Sequence, residues 1–487
     1  MTAAHHADGE GLTIRAMLPS PQVSSPRVLT FFSAITSAMQ PTRLPLALLA
    51  VLLVAALAPV IDLAAGKSFG TRGFTGGVLG ETDLEIDRSR ARSAAIRFAG
   101  LEVAALENPA DGAASADADR RDPSTRELVG AVREGLVRRI GELRAATDEG
   151  DAGWRASEER RLRQAAAQAI RQIEESAPRG VASVFLENER QALRQIGAAV
   201  VDLDLEAAAS GVLSAVFTVP AAAIRASPVV FPLAALVMLS LLAICAGGLC
   251  RMAAVHSGRD GRLSTLEGSA FARSRALNLA SLPVLPAAVL LILGIIVFVF
   301  VLLLRVPVLN VVGGALFVVP LLVAILGAVL AIVAIAAAPL MPAAVAVEDC
   351  DAGDAITRAC ALVLGRPLAW LLALSLFVVV LTLGTILVAG ILMLASTAVE
   401  GLLGLAGGTV GQVLASGDAS LMATLSGPDR LISLLVGFWG GIFQMLGAAY
   451  GFSLACDLAT RGYLLLRERL NGESPATIAG YGLGEGA

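Results

Sequence analysis

The 487-residue chain is 56% hydrophobic and only 16% charged, with a mean hydropathy of +0.74, against roughly 45–50% apolar and about 25% charged residues in soluble domains. That excess excludes an ordinary soluble domain and points to an all-α, polytopic membrane protein, because lipid admits only helices and closed barrels and the apolar runs here are continuous rather than alternating. A formal net charge of -4 lacks the basic footprint of a nucleic-acid binder, so no nucleic-acid partner is expected.

Residues 1–43 open the chain with Pro19, Pro21 and Pro26 and are expected to form a flexible cytoplasmic tail. Leu44 to Ala65 is the first run of the roughly 20 apolar residues that cross the hydrocarbon, broken only by Asp62 near its end. A start at Met39 would give Arg43 and this run the look of a signal peptide. An uncleaved signal anchor is the preferred reading, since no strong small-x-small site precedes Gly66.

Residues 66–227 hold 25 acidic and 22 basic side chains of the chain's 78, and so read as a solvated, mostly helical, extracytoplasmic insertion. Leu128, Val132, Leu136, Ile140 and Leu143 recur at three and four, the stripe of an amphipathic helix, with Asp122 or Ser124 near Glu127 as its cap. Further helices are expected at 155–175 and 181–201, punctuated by Gly150, Gly153, Pro178 and Gly180, and 107–124 is expected to be a disordered link. Large apolar side chains are sparse, with Trp154 the insertion's only tryptophan; the thin core predicts that this region leans on the membrane domain or on a protein partner. Residues 207–224 follow Asp202, Asp204 and Glu206 and contain Pro220, so they are expected to lie at the interface as an amphipathic helix.

Residues 228–470 supply five more spans, Val229 to Cys250, Leu282 to Leu304, Val308 to Ala338, Leu368 to Thr397 and Leu431 to Cys456. Gly401 to Ala415 is apolar, short and glycine-rich and suits an interfacial or re-entrant piece better than a crossing. Residues 471–487 are expected to be a flexible C-terminal tail. With six spans and both termini inside, the inner segments carry thirteen arginines, from Arg15 to Arg469, and the two short outer loops carry Arg305 and Arg430. Short arginine-rich loops stay cytoplasmic, which fixes this orientation and disfavours a lone crossing at 207–224. The expected location is a bacterial inner membrane, with the lipid bilayer itself as the first partner.

Chemistry-bearing residues are few. His5, His6 and His256 are the only histidines, too scattered for a metal site or a catalytic triad. Cys245, Cys250, Cys350, Cys360 and Cys456 lie in or beside apolar stretches and read as structural thiols. Asp62, Arg305, Glu400 and Asp457 lie near predicted span ends, where they reach water. Asn310, Thr382, Thr385, Gln412 and Gln444 are polar span residues that read as helix bridges. No cofactor, metal or catalytic residue is assigned. Gly437 with Gly441, and Gly447 with Gly451, are small-xxx-small pairs on one side of the last span, which predicts close packing against another helix, within the chain or across a dimer of undetermined order.

Between the fourth and fifth spans, Pro339 and Pro342 precede Glu348, Asp349, Asp351 and Asp354, a short amphipathic helix at 353–364 containing Arg358, and then Gly365, Arg366 and Pro367. This is an elbow on the inner interface, with Glu348, Arg358, Arg366 and Pro367 as its marked residues and Arg366 offered to lipid phosphates. The pattern, strongest over residues 339–396, resembles the multi-span membrane domain attached to some bacterial glycerophosphodiester phosphodiesterases and related uncharacterised membrane proteins. Where that family commonly has Ser after the elbow arginine this chain has Ala359, and the esterase barrel is absent. The resemblance therefore implies a membrane domain without the esterase activity. The resulting expectation is a non-enzymatic protein that anchors or assembles partners through its insertion; a permease or lipid-handling transporter is the alternative.

Overall fold

The computed structural model describes residues 27–65, 89–96, 98, 125–146, 152–175, 180–303, 305, 313–314, 316–406, 411, 413–414, 425 and 428–479. Among these residues there is no strand. Seven helices are long and apolar enough to cross a membrane: Leu44–Ala65, Glu206–Ala226, Val230–Arg259, Ala276–Leu302, Val318–Ala337, Pro367–Leu405 and Pro428–Leu470. Six correspond to the runs read from the sequence. The seventh falls on the segment expected to lie at the interface.

The expected flexible tail is corrected first. Arg27–Ser37 is a helix, α1, whose Phe31, Ala34 and Ala38 are buried against Val380, Val388, Tyr450 and Leu454. The stripe is narrow and mostly alanine, so polar neighbours and the prolines before it mask it in the sequence. The turn at Gln40 then leads into α2, Leu44–Ala65.

The charged insertion divides into two parts. Helical residues 89–96, α3 (Thr125–Ala146) and α4 (Ala152–Glu175) share a core of Ala94, Ala95, Phe98, Leu128, Val132, Leu136, Ile140, Ala166, Ile170 and Ile173. Leu128, Val132, Leu136 and Ile140 of the stripe read from the sequence are thus in its buried seam, Leu143 being half-buried outside it, and Arg139 stacks over the Phe98 ring at 5.0 Å. The caps expected at Asp122 or Ser124, and the link at 107–124, lie outside the described residues. The second part, α5 (Val181–Val201), does not join this core. It packs on α2 through Ala182 against Ala58 and Ile61, and through Val181 and Val184 against Phe231. The chain turns at Asp202 and Leu203 and returns as α6 (Leu205–Leu213), a π-type turn at Ser214–Thr218, and α7 (Val219–Ala226). Ala223 and Ala226 come back to Val181 and Val184, so α5 and α6–α7 form a hairpin with both ends at the outer end of α2.

The remaining helices are α8 (Val230–Arg259), α9 (Thr265–Ser274), α10 (Ala276–Leu303), α11 (Val318–Ala337), α12 (Leu340–Glu348), α13 (Ala352–Gly365), α14 (Pro367–Ala406) and α15 (Pro428–Asn471). Proline at the first position of α14 and α15 starts each where a backbone N–H would have no partner. Three helices stop at a residue in the left-handed region, Asp260 after α8, Asp349 after α12 and Gly472 after α15, a conformation that closes a helix C-terminus. The short helices that follow are capped: Ser264 and Glu267 make a capping box for α9, and Asp351 accepts from the Asp354 N–H for α13.

These elements repeat a three-part order of short helix, outgoing helix and returning helix: α1, α2, α8; then α9, α10, α11–α12; then α13, α14, α15. Each short helix packs on the preceding pair, α9 on α8 and α2, α13 on α11–α12 and α10, and α1 on α14 and α15. The docking is therefore cyclic and closes the bundle. Close approaches depend on glycine where α8 meets its neighbours: a methyl group on Gly248 would meet Leu46 Cδ2 at 2.8 Å and the Gly268 carbonyl at 2.9 Å.

Candidate functional site

The best-defined polar assembly lies where α1, the start of α2, and α15 meet. Asp457 is fully buried. Its Oδ1 accepts from Arg43 Nη1 at 2.8 Å, and its Oδ2 accepts from Ser37 Oγ at 2.6 Å and Arg461 Nε at 2.8 Å. Arg461 also donates to Ser33 Oγ at 2.8 Å. Arg43, itself 1% exposed, reaches the Met252 carbonyl at 3.4 Å, and Gln40 lies 3.5 Å from the His256 ring. This corrects the expectation that Asp457 reaches water at a span end. One carboxylate between two guanidiniums, with both oxygens occupied, acts as a clasp that ties α15 to α1 and to the start of α2.

A second cluster covers the C-terminal ends of α12 and α15. Glu348 takes the Tyr463 hydroxyl and pairs with Arg358, and Arg467 approaches it at 3.6 Å while pairing with Glu473. Arg275 pairs with Asp349 at 2.8 Å. The segment after α15, expected to be a flexible tail, is a strap: Arg251 donates to the Ala346 and Ala479 carbonyls, Arg259 to that of Ala476 and Arg467 to that of Thr477, and Ile478 is buried. Residues 480–487 lie outside the described residues. Nearby, burial pushes the Cys350 thiol up to about 11, with Asp354, Asp351 and Asp349 adding to the effect, and burial raises Cys360 too. Both thiols are held in the unreactive form.

The marked elbow residues are thus partly brought together. Glu348 and Arg358 join in one cluster, whereas Arg366, the residue before Pro367, is exposed at the start of α14. The glycine pairs of α15 separate as well. Gly447 and Gly451 pack, with methyl groups there meeting Leu392 at 3.1 Å and Thr385 at 3.4 Å, while Gly437 and Gly441 have nothing within 4 Å. Thr385 bonds back to the Leu381 carbonyl, Gln444 is exposed, and Asn310 and Gln412 lie outside the described residues.

Near the C-terminal end of α2, Asp62 holds α5. Its Oδ1 accepts from the Ala182 N–H at 2.6 Å and its Oδ2 from the Ser183 N–H at 3.3 Å and hydroxyl at 2.5 Å. A carboxylate on the free N–H groups of a helix start is the favourable sign for the helix dipole. Gly180 permits the approach, because any Cβ there would overlap the Asp62 side chain.

The cavities beside α14 are apolar. One is lined by Pro339, Trp370, Phe377 and Leu458 among others, and its neighbour by Phe31, Leu376 and Leu465, with Arg469 at the rim. Comparison with protein families, curated proteins and solved structures returned no match to this chain.

Proposed function

We propose that the chain is a bacterial inner-membrane protein whose long apolar helices cross the bilayer with both termini on the cytoplasmic side, and that it works without catalysis, anchoring or assembling a protein partner through α3 and α4 outside the membrane. One observation carries this reading: α3 and α4 bury one seam and leave their charged surfaces, including Arg138, Glu142 and Arg161, exposed, while α5, which follows them in the chain, is fixed to α2 by Asp62. A charged helical pair joined to a latched helix is a platform suited to a polar partner surface. The elbow at Glu348 to Pro367 is consistent with the membrane domain that the sequence resembles. The test is affinity capture of the full-length protein against a form lacking residues 125–175. The partner set should shrink on deletion, and an unchanged set would count against this role. A lipid-handling role is the second reading, favoured by the polar face of α5.

A further inference from the structure

The hairpin of α5 and α6–α7 places charges where the neighbouring helices are apolar. One face of α5, with Val181, Ala182, Val184, Ala192 and Ala199, is buried. Beside that face run Glu187, Arg190, Gln191, Arg194 and Gln195, all exposed and spaced to form a single stripe along a helix. Its depth follows from both ends of α5. Ala182 sits at Asp62, near the outer end of α2. Gly197 reaches Thr382, where a methyl group would lie 4.0 Å from Cγ2, and Thr382 is two residues from Gly384, whose own methyl would touch Tyr450 Oη at 3.0 Å and Ile35 Cγ1 at 3.4 Å. Ile35 and Tyr450 belong to the cluster around α1, beside the Arg43 clasp and the start of α2. The stripe therefore runs antiparallel to α2, over the length of α2 that is apolar enough to cross a membrane.

We propose that this stripe is a track along which phospholipid headgroups pass between leaflets while their acyl chains stay in the surrounding lipid. The occupant follows from charge complementarity. Arg190 and Arg194 are one turn apart and offer forked donors to a phosphodiester, and Glu187, 3.9 Å from Arg190, offers a carboxylate to the ammonium of an ethanolamine headgroup. Gln191 and Gln195 continue the polar path, the latter bonded to Ser210 at 3.0 Å. The returning limb beside it exposes Val212, Leu213 and Phe217, an apolar flank for the tails. A charged face at this depth is costly unless water, headgroups or another polar surface solvates it. The inference is independent of any partner at α3 and α4.

The test reconstitutes the full-length protein into vesicles of phosphatidylethanolamine and phosphatidylglycerol containing a trace of fluorescent phosphatidylethanolamine, and follows bleaching by external dithionite. The native protein should expose inner-leaflet label. Arg190→Ala with Arg194→Ala should slow this about tenfold, and the double Lys variant should retain most of the rate. No exposure by the native protein, or an equal rate in the Ala variant, overturns the track. In a second measurement, which does not depend on the Ala variant folding, Gln191→Cys and Gln195→Cys are treated with a water-soluble maleimide in the same vesicles. Labelling comparable to that of Trp154→Cys supports a hydrated stripe. Protection, or disulfide-linked dimers through either position, means that lipid tails or a second copy cover it and overturns the proposal.

Discussion

Asp457 illustrates how much a single buried carboxylate organises here. It is 420 residues from Ser37 and 414 from Arg43 along the chain, and it joins α15 to α1 and to the start of α2, which are distant from it in sequence. Removing one member of a buried ion cluster leaves an uncompensated charge, which costs about 3–5 kcal/mol. The two sides of the clasp are not equivalent. Asp457→Ala leaves Arg43 and Arg461 facing each other, whereas Arg43→Ala leaves Asp457 still paired with Arg461 at 2.8 Å. Thermal unfolding in detergent should therefore show the larger loss for Asp457→Ala and a smaller one for Arg43→Ala, with the double variant closer to native than the sum of the two. Equal or negligible losses would show that the cluster is solvated rather than clasped. Little of this was legible beforehand. Asp457 and Arg461 stand four apart and face the same side of a helix, but nothing local marks Arg43 or Ser37 as partners, and a carboxylate near a span end reads by default as wet. Asp62 was equally ambiguous, since its use as a helix cap depends on Gly180, more than a hundred residues away.

Helices were the most readable objects. The bounds expected for the first span and for 181–201 coincide with α2 and α5, because long apolar runs and regular heptad-like stripes are local signals. What failed was placement. An alanine face hides the first helix, and the charges in and around α5 make it read as solvated, although Val181, Val184 and Phe185 supply enough contact to seat it on Phe231 and the end of α2. The α3–α4 pair behaves as the sequence implied, and its electrostatics give a pH-dependent prediction. Partial burial works to raise the Glu159 carboxyl, but hydrogen bonds and charge from Arg163 and Arg144 outweigh it, so the group titrates below its ordinary value. A depressed folded pKa contributes stability that is present above the unfolded value, about 4.3, and is lost as pH falls through the folded one. Hydrogen exchange on the full-length protein should thus show α3 and α4 losing protection on acidification below about pH 4.3, with a flatter profile in Glu159→Gln. The same acid response in both proteins would assign the effect to other carboxylates.

At the scale of the molecule, the cyclic order explains why one end of the bundle is so densely tied. Each returning helix ends at a left-handed residue, Asp260, Asp349 or Gly472. The first two lead into the short helices α9 and α13, and the third leads into the strap that Arg251, Arg259 and Arg467 hold. The elbows, the strap and both ion clusters therefore gather on one side, which is also the arginine-rich side read from the loops. The hairpin of α5 and α6–α7 does not disturb this arrangement. It leaves and rejoins the C-terminal end of α2, so it adds an even number of crossings before α8. A lone crossing at Glu206–Ala226 would have moved the α8–α9 turn to the opposite face; its pairing with α5 removes that conflict with the charge bias. In a cysteine-free background with right-side-out vesicles, Asp260→Cys and Ser269→Cys should resist an impermeant maleimide until the membrane is opened, and Trp154→Cys should label at once. Immediate labelling of Asp260→Cys and Ser269→Cys with Trp154→Cys protected would mean that the bundle sits in the membrane the other way up, and labelling of all three would put the elbows on the side of α3 and α4 and overturn this topology.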